Sequence, residues 1–322
     1  MSASAPRRLL WQHALRRLLT ALPVLWLVVS VVFLLIHLVP GDPIVQMLGE
    51  GATAGDITAL RHSIGLDLPL TEQYARYWHG VARLDLGQSL RLHASVTSLI
   101  LERYPYTLLL TGCSLLLGIL FAVPAGLASA MHRGRWPDRL LGVASLFGLS
   151  FPNFALGPVL ILLFSIRLGW LPVSGVGSPG NLPDLLAHLV LPALTLGLSL
   201  AAILTRMVRT ATLEELGQDY VRTARAKGLS DTAVVLRHVL PNALIPVLTV
   251  LGLQFGSLLA GAIVTETIFS LPGIGRLTLS AISNRDYALV QGSLLAIGLT
   301  YVAVNMLTDL LYTLVNPQIR SA

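Results

Sequence analysis

Six runs of largely apolar residues dominate this chain: Leu18–Val39, Thr107–Met131, Leu140–Ile166, Leu189–Met207, Leu244–Val264 and Ala288–Val315. Each is close to or beyond the roughly 20 residues that carry a helix across the hydrocarbon core of a bilayer. Inside that core every backbone N–H and C=O needs an internal partner, so runs of this length and spacing predict helices. The rest of the composition agrees. Only 12% of the residues are charged and the mean hydropathy is +0.73, where a soluble domain carries about a quarter charged residues. The expected fold is all-α and polytopic, with six transmembrane helices. Arg7, Arg8, Arg16 and Arg17 precede the first run as they would in a signal peptide. That run is longer than a signal core, however, and passes into His37-Leu-Val-Pro-Gly-Asp42 with no small-x-small cleavage site, so it reads as a retained span.

Orientation follows from the basic residues. With the N-terminus inside, fourteen of the 22 lie on the cytoplasmic side: the four arginines of the tail, Arg133, Arg135 and Arg139, then Arg206, Arg209, Arg222, Arg225, Lys227 and Arg237, and finally Arg320. The positive-inside rule therefore puts both termini in the cytoplasm. It also accounts for the net charge of +6 without nucleic acid as a partner. Three segments result: residues 1–39, a cytoplasmic tail and first span; residues 40–106, a small extracytoplasmic lobe containing Tyr74, Tyr77 and Trp78; and residues 107–322, a five-helix core with a long cytoplasmic loop at about 208–243.

Within that loop, Asp219–Pro246 is a polar, basic stretch that reads as two short helices and a hinge. Ala224 and Ala226, with Arg222, Arg225 and Lys227, favour a helix that Gly228 can end in the left-handed conformation. Ser230 can cap the next helix, and Pro241 marks where that helix stops or kinks. The small side chains of Ala224 and Ala226 allow a partner surface to approach closely, and the neighbouring cations can meet its acids.

The chemistry that is missing is equally informative. Lys227 is the only lysine and is followed by Gly228, so the Gly-Lys-Ser/Thr loop that cradles phosphates cannot be built, and any ATP must be bound by another subunit. There is no HExxH, CxxC or GxSxG, so neither a metal nor a catalytic nucleophile is expected, and no cofactor. Cys113 is single and lies in an apolar run, which makes it a small core hydrophobe. Ionisable residues in the spans are few. Asp309 reads as an inter-subunit or interfacial acid, while His37 and Arg167 fall at outer span ends where they can snorkel. Ser150, Asn153, Gln254 and Ser257 can line a weakly polar path or glue helices together. Pro152 with Asn153 can break the third span, freeing carbonyls toward a cavity.

Arg222-Thr-Ala-Arg-Ala-Lys-Gly228, followed by Leu240-Pro241, resembles the "EAA" loop of ABC importer permeases. Arg222-Thr223-Ala224 stands where that family has Glu-Ala-Ala, and His238 replaces an aliphatic residue. The fuller text, RTARAKGLS and then RHVLPNALIPVLTVLG, is similar to the dipeptide/oligopeptide branch. Further segments resemble that branch: Leu38-Val-Pro-Gly-Asp-Pro43, Gly65-Leu-Asp-Leu-Pro-Leu70, Leu84-Asp-Leu-Gly-Gln-Ser89, Glu266-Thr-Ile-Phe-Ser-Leu-Pro-Gly-Ile-Gly-Arg276, Arg285-Asp-Tyr287 and the ending Asn316-Pro-Gln-Ile-Arg320.

The resemblance implies a non-catalytic type I importer permease in the cell's inner membrane. Its partners would be a second, homologous permease, two cytoplasmic ATP-binding subunits and an extracytoplasmic substrate-binding protein. Arg222, Thr223, Ala224, Arg225, Ala226, Lys227, Gly228, Leu240 and Pro241 would couple it to the ATPase. Asn153, Gln254, Ser257 and Glu266 fall to the translocation path or gate. Pro272, Gly273, Gly275, Asp286 and Tyr287 fall to the binding-protein side, where Asp286 and Tyr287 can also cap the last span. Di- or oligopeptides are the implied cargo, with nickel chelates, glutathione or another small solute as alternatives. A self-contained ion-coupled transporter or channel, or a membrane-embedded enzyme, are the readings from other classes.

Overall fold

The computed structural model describes residues 5–38, 42–48, 51–178 and 180–315. The Asn316–Arg320 ending and part of Leu38–Pro43 lie outside the described residues. The chain is helical nearly throughout: α1 (Ala5–Leu38), α2 (Pro43–Leu48), α3 (Ala54–Ile64), α4 (Leu70–Ala82), then a hairpin of β1 (Gln88–Ser89) and β2 (Ala94–Ser95). There follow α5 (Val96–Met131), α6 (Trp136–Ser150), α7 (Asn153–Leu160, continuing as a π-helical turn Ile161–Arg167) and α8 (Leu182–Leu216). The remainder is α9 (Asp219–Ala226), α10 (Asp231–Val234, continuing as a π-turn Val235–Val239), α11 (Leu240–Ile268), α12 (Ile274–Ser283) and α13 (Tyr287–Val315). Five of these are long and apolar enough to cross a membrane, and α6 with α7 makes a sixth crossing if the two count as one span.

The third apolar run, Leu140–Ile166, is broken where Pro152 and Asn153 stand, as the sequence allows: the chain turns by 105° between α6 and α7. Pro152 has no N–H to give, and its ring drives the preceding residue out of the helical region. Phe151 accordingly takes φ −87°, ψ 117°, while its N–H still closes α6 on Phe147 O. A second helix then restarts from Pro152, whose carbonyl accepts from Ala155 and Leu156.

The described residues form two compact units. The first comprises the described parts of Met1–Ala14, Thr107–Leu271 and Val304–Ala322. Its centre is α8, with 56% of its most apolar window buried against 22–33% for the other four spans. Leu189, Leu191, Leu196, Leu200, Leu204 and Val208 form the middle of the core, with Leu110 and Ala122 of α5, Leu258 and Ala262 of α11, and Cys113 packed on its edge. α5 lies against α8 with backbone-close contact. A Cβ on Gly126 would stand 2.6 Å from Val208 Cβ and 2.9 Å from Thr205 O, so only glycine allows this approach.

The second unit comprises Leu15–Tyr106 and Pro272–Ala303. In it Val29 and Val32 of α1 pack with Leu295 of α13 against Tyr77 and Trp78 of α4, while Val96 and Ile100 meet Ile274, Ala281 and Leu289. α3 is stopped at both ends by local chemistry. Thr53 and Asp56 form a reciprocal capping box, and Gly65 closes the C-terminus at φ +77°. His37, at the end of α1, bonds through Nε2 to Gln73 Oε1 at 3.1 Å, and Gln291 donates to the carbonyls of Val32 and Phe33.

Candidate functional site

The segment from α8 to α11 forms a small self-packed module. α9 ends in a two-bond reversal: Gly228 N–H reaches Arg225 O (2.9 Å) and Leu229 N–H reaches Ala224 O (3.4 Å). Gly228 takes φ +83°, the left-handed conformation expected from the sequence, and a Cβ there would meet nothing within 4 Å. The demand for glycine is therefore torsional and owes nothing to space. Ser230 Oγ accepts from Ala233 N–H at 3.4 Å and caps α10, as expected.

α9 has two faces. Val221 and Ala224 pack inward on Val234 and Val239, with Leu216 of α8 beside them. Ala224 was expected to admit a partner surface; it is buried instead, and its smallness lets α9 lie close on the helix that follows. Arg222, Thr223, Arg225, Ala226 and Lys227 form the outward face and are exposed. Two weak exposed ion pairs trim the charge, Arg222 with Asp219 (3.2 Å) and Arg225 with Asp231 (3.0 Å), the latter bridging α9 to α10.

Tyr220 ties the module together. Its hydroxyl donates to Glu215 at the end of α8 and accepts from Asn242 Nδ2 (3.2 Å), which also donates to His238 O (3.0 Å). Partial burial, and then the Glu215 carboxylate, raise the Tyr220 phenol above its ordinary range.

Pro241 does not stop the helix. The turn before it widens to π geometry, with Leu240 N–H reaching back five residues to Val235 O. A wider turn draws the carbonyls away from the proline ring and accommodates its missing N–H. The helix from Asp231 therefore runs unbroken to Ile268. Leu240 is half-buried and Pro241 exposed.

The other sequence candidates are scattered. Asn153 opens α7, where its Oδ1 accepts from Ser199 Oγ of α8, joining two helices. Gln254 is half-buried and Ser257 exposed along α11. Glu266, expected at a path or gate, is fully enclosed, with Thr107 Oγ1 donating to it at 2.6 Å. Gly273 caps α12, Pro272 is half-buried and Gly275 is buried. Asp286 caps α13, accepting from Leu289 N–H (3.2 Å), and also receives Ser89 Oγ of β1. Tyr287 donates to Gln46 Oε1 at 2.9 Å. Two separately noted motifs, Leu84–Ser89 and Arg285–Tyr287, thus meet within one unit. Asp138 belongs to no motif in the sequence, and Arg209 of α8, whose guanidinium donates to it at 2.7 Å and 2.9 Å, stands there only among the charges that set topology. The available signal was an acid two residues into a helix after Arg-Trp-Pro, at the mouth of an apolar run.

Comparison with known proteins fits these elements. Residues 122–321 match the family model described as "Binding-protein-dependent transport system inner membrane component", and residues 10–111 match the model for its N-terminal part. The chain is 43% identical over 308 residues to the glutathione transport system permease protein GsiC of Escherichia coli K12, covering 96% of this chain and 98% of that protein. It is 44% identical, with the same coverage, to the protein of the same name from Salmonella paratyphi A. Among solved structures, the MetNI methionine ABC transporter in an inward-facing conformation aligns with a TM-score of 0.54 at 19% identity, covering 68% of this chain and 96% of that one.

Proposed function

The chain belongs to the family of binding-protein-dependent transport system inner membrane components, and on that premise we propose that its cargo is a di- or oligopeptide, glutathione among them. It is the permease subunit of an ATP-driven importer, a multi-pass protein of the inner membrane. The observation that carries the coupling part of the reading is the α8–α11 module: a short helix with an exposed basic face, closed by Gly228 and packed on a helix continuous with a span.

The proposed arrangement has both termini and the module in the cytoplasm and residues 40–106 outside. The chain catalyses nothing itself. Two ATP-binding subunits receive α9, a second homologous permease completes the pathway, and a binding protein delivers cargo on the side of Pro272, Gly273, Gly275, Asp286 and Tyr287. ATP binding draws the ATPase pair and its docked helices together, and α9, through its inner face, moves α11. Asn153, Gln254 and Ser257 are the proposed polar groups along the path. Glu266, enclosed in this structure, is proposed to brace the gate end of α11 from within. Cargo identity rests on relatives named for glutathione transport at 43–44% identity.

The test is a binding screen of the cognate binding protein against short peptides, glutathione and nickel chelates, followed by uptake in vesicles holding the full complex. Saturable binding and uptake of a peptide or of glutathione is expected. A binding protein that takes nickel chelates and neither of the others overturns the cargo assignment.

A further inference from the structure

Within the first unit, the carboxylate of Asp138 is buried to 8% exposure and every acceptor position on it is filled. Oδ1 accepts from Ser129 Oγ at 2.5 Å and from Arg209 Nε at 2.7 Å. Oδ2 accepts from Arg209 Nη2 at 2.9 Å and from the backbone N–H of Gly134 at 2.9 Å. These donors come from three places in the chain. Ser129 is in the last turn of α5, Gly134 sits in the α5–α6 turn at φ +77°, and Arg209 lies on α8 about two turns before that helix ends at Leu216. The two parallel bonds from one guanidinium fix orientation as well as distance, which a point charge does not.

α8 hands over to α9 through only Gly217 and Gln218. Movement of α9 therefore has two mechanical outlets in this unit. One runs through Val221 and Ala224 into the helix that becomes α11. The other runs back up α8 to Arg209. We propose that Asp138 and Arg209 form a clasp that makes the α5–α6 hairpin travel with α8 when α9 is displaced, so that Asp138 is a positioning residue for transport. This rests on the reading of α9 as the element that meets the ATPase. Packing alone lets two helices slide; a forked, fully satisfied ion pair in the first turn of α6 resists both sliding and rotation. Breaking it strands a buried charge, so the clasp has one favoured state.

The experiment uses the assembled complex in proteoliposomes, with Asp138→Asn and Arg209→Lys compared with the unmodified chain. ATP hydrolysis and substrate uptake are measured in the same vesicles, and retention of the ATPase subunits is measured by co-purification. Arg209→Lys keeps the charge and loses the fork, so it separates clasping from simple charge balance. The expected result is retained ATPase subunits, ATP hydrolysis within about twofold of the unmodified complex, and uptake per ATP lowered by about five- to tenfold, the lower end of typical coupling effects. Uptake per ATP equal to the unmodified complex in both variants overturns the proposal. So does loss of assembly in both with normal uptake per ATP in whatever assembles, which would make the pair a folding staple. The underlying reading is checked separately by Ala226→Cys on the outward face of α9. A cross-link to an ATPase subunit supports it; no cross-link removes the reading, and the clasp with it, whatever the two variants do.

Discussion

Tyr77 of α4 shows how a single side chain can be held in one protonation state. Its ring packs 5.6 Å from Phe33, and its hydroxyl is buried with no hydrogen-bond partner among the described residues. Burial pushes the phenol up to about 12, because the phenolate would lose its hydration and gain nothing in return. The folded state holds this proton more tightly than the unfolded chain, whose tyrosines titrate near 10. Its contribution is therefore complete below about pH 10 and is lost as the pH rises toward about 12. Absorbance titration of the phenolates should show a late-ionising tyrosine that disappears in Tyr77→Phe. An unchanged high-pH limb in that variant would refute the assignment. Removing an orphaned hydroxyl should also leave thermal stability equal or higher. The aromatic residues of this segment were visible in the sequence, but the missing hydroxyl partner was not, because it depends on how α4 lies against α1.

Among the elements, α9 was the most legible in advance. Its helix former residues, the Gly228 stop and the Ser230 cap are local signals, and each is found where the sequence put it. What the sequence could not show was which face of so short a helix turns inward, and so Ala224 was misassigned to the outside. At Pro241, of the two outcomes the sequence offered, stopping the helix is the one that does not occur. A proline rule predicts the cost to an α-turn, and a π-turn avoids that cost by widening. The torsional argument at Gly228 gives a graded prediction. An L-residue at φ +83° costs about 1–2 kcal/mol, and a β-branched side chain more. Gly228→Val should lower transport and substrate-stimulated ATP hydrolysis of the complex by several-fold while α8 and α11 stay folded. Gly228→Asn, better tolerated at positive φ, should be intermediate. Equal activity in all three would mean that the end of α9 does not transmit force.

For the whole molecule, the apolar runs and their order came directly from hydropathy, since the bilayer permits so few alternatives; five of the six stand as long helices and the remaining one is the bent α6–α7 pair. Positions 40–106 read as a lobe and contain α2, α3, α4 and the hairpin. Their assortment with Pro272–Ala303 was not legible, because pairings such as Ser89 with Asp286 join residues far apart in sequence. The chain carries no phosphate-binding loop. Purified alone and reconstituted, it should neither hydrolyse ATP nor move peptide, and both activities should return together on adding the ATPase subunits, the second permease and the binding protein. Transport by the isolated subunit would contradict the family assignment's mechanical premise.

The bend at Phe151-Pro152 has a consequence for reach. α6 and α7 with its π-turn are 15 residues each, or about 22 Å per leg at helical rise. Laid straight they would extend about 45 Å, well beyond the ~30 Å of hydrocarbon in a typical bilayer. Turned through 105°, the pair spans about 27 Å from end to end, close to one hydrocarbon thickness, with each leg inclined about 50° to the line joining its ends. A single proline thus brings the two ends of thirty helical residues to within the length of a straight helix of about twenty.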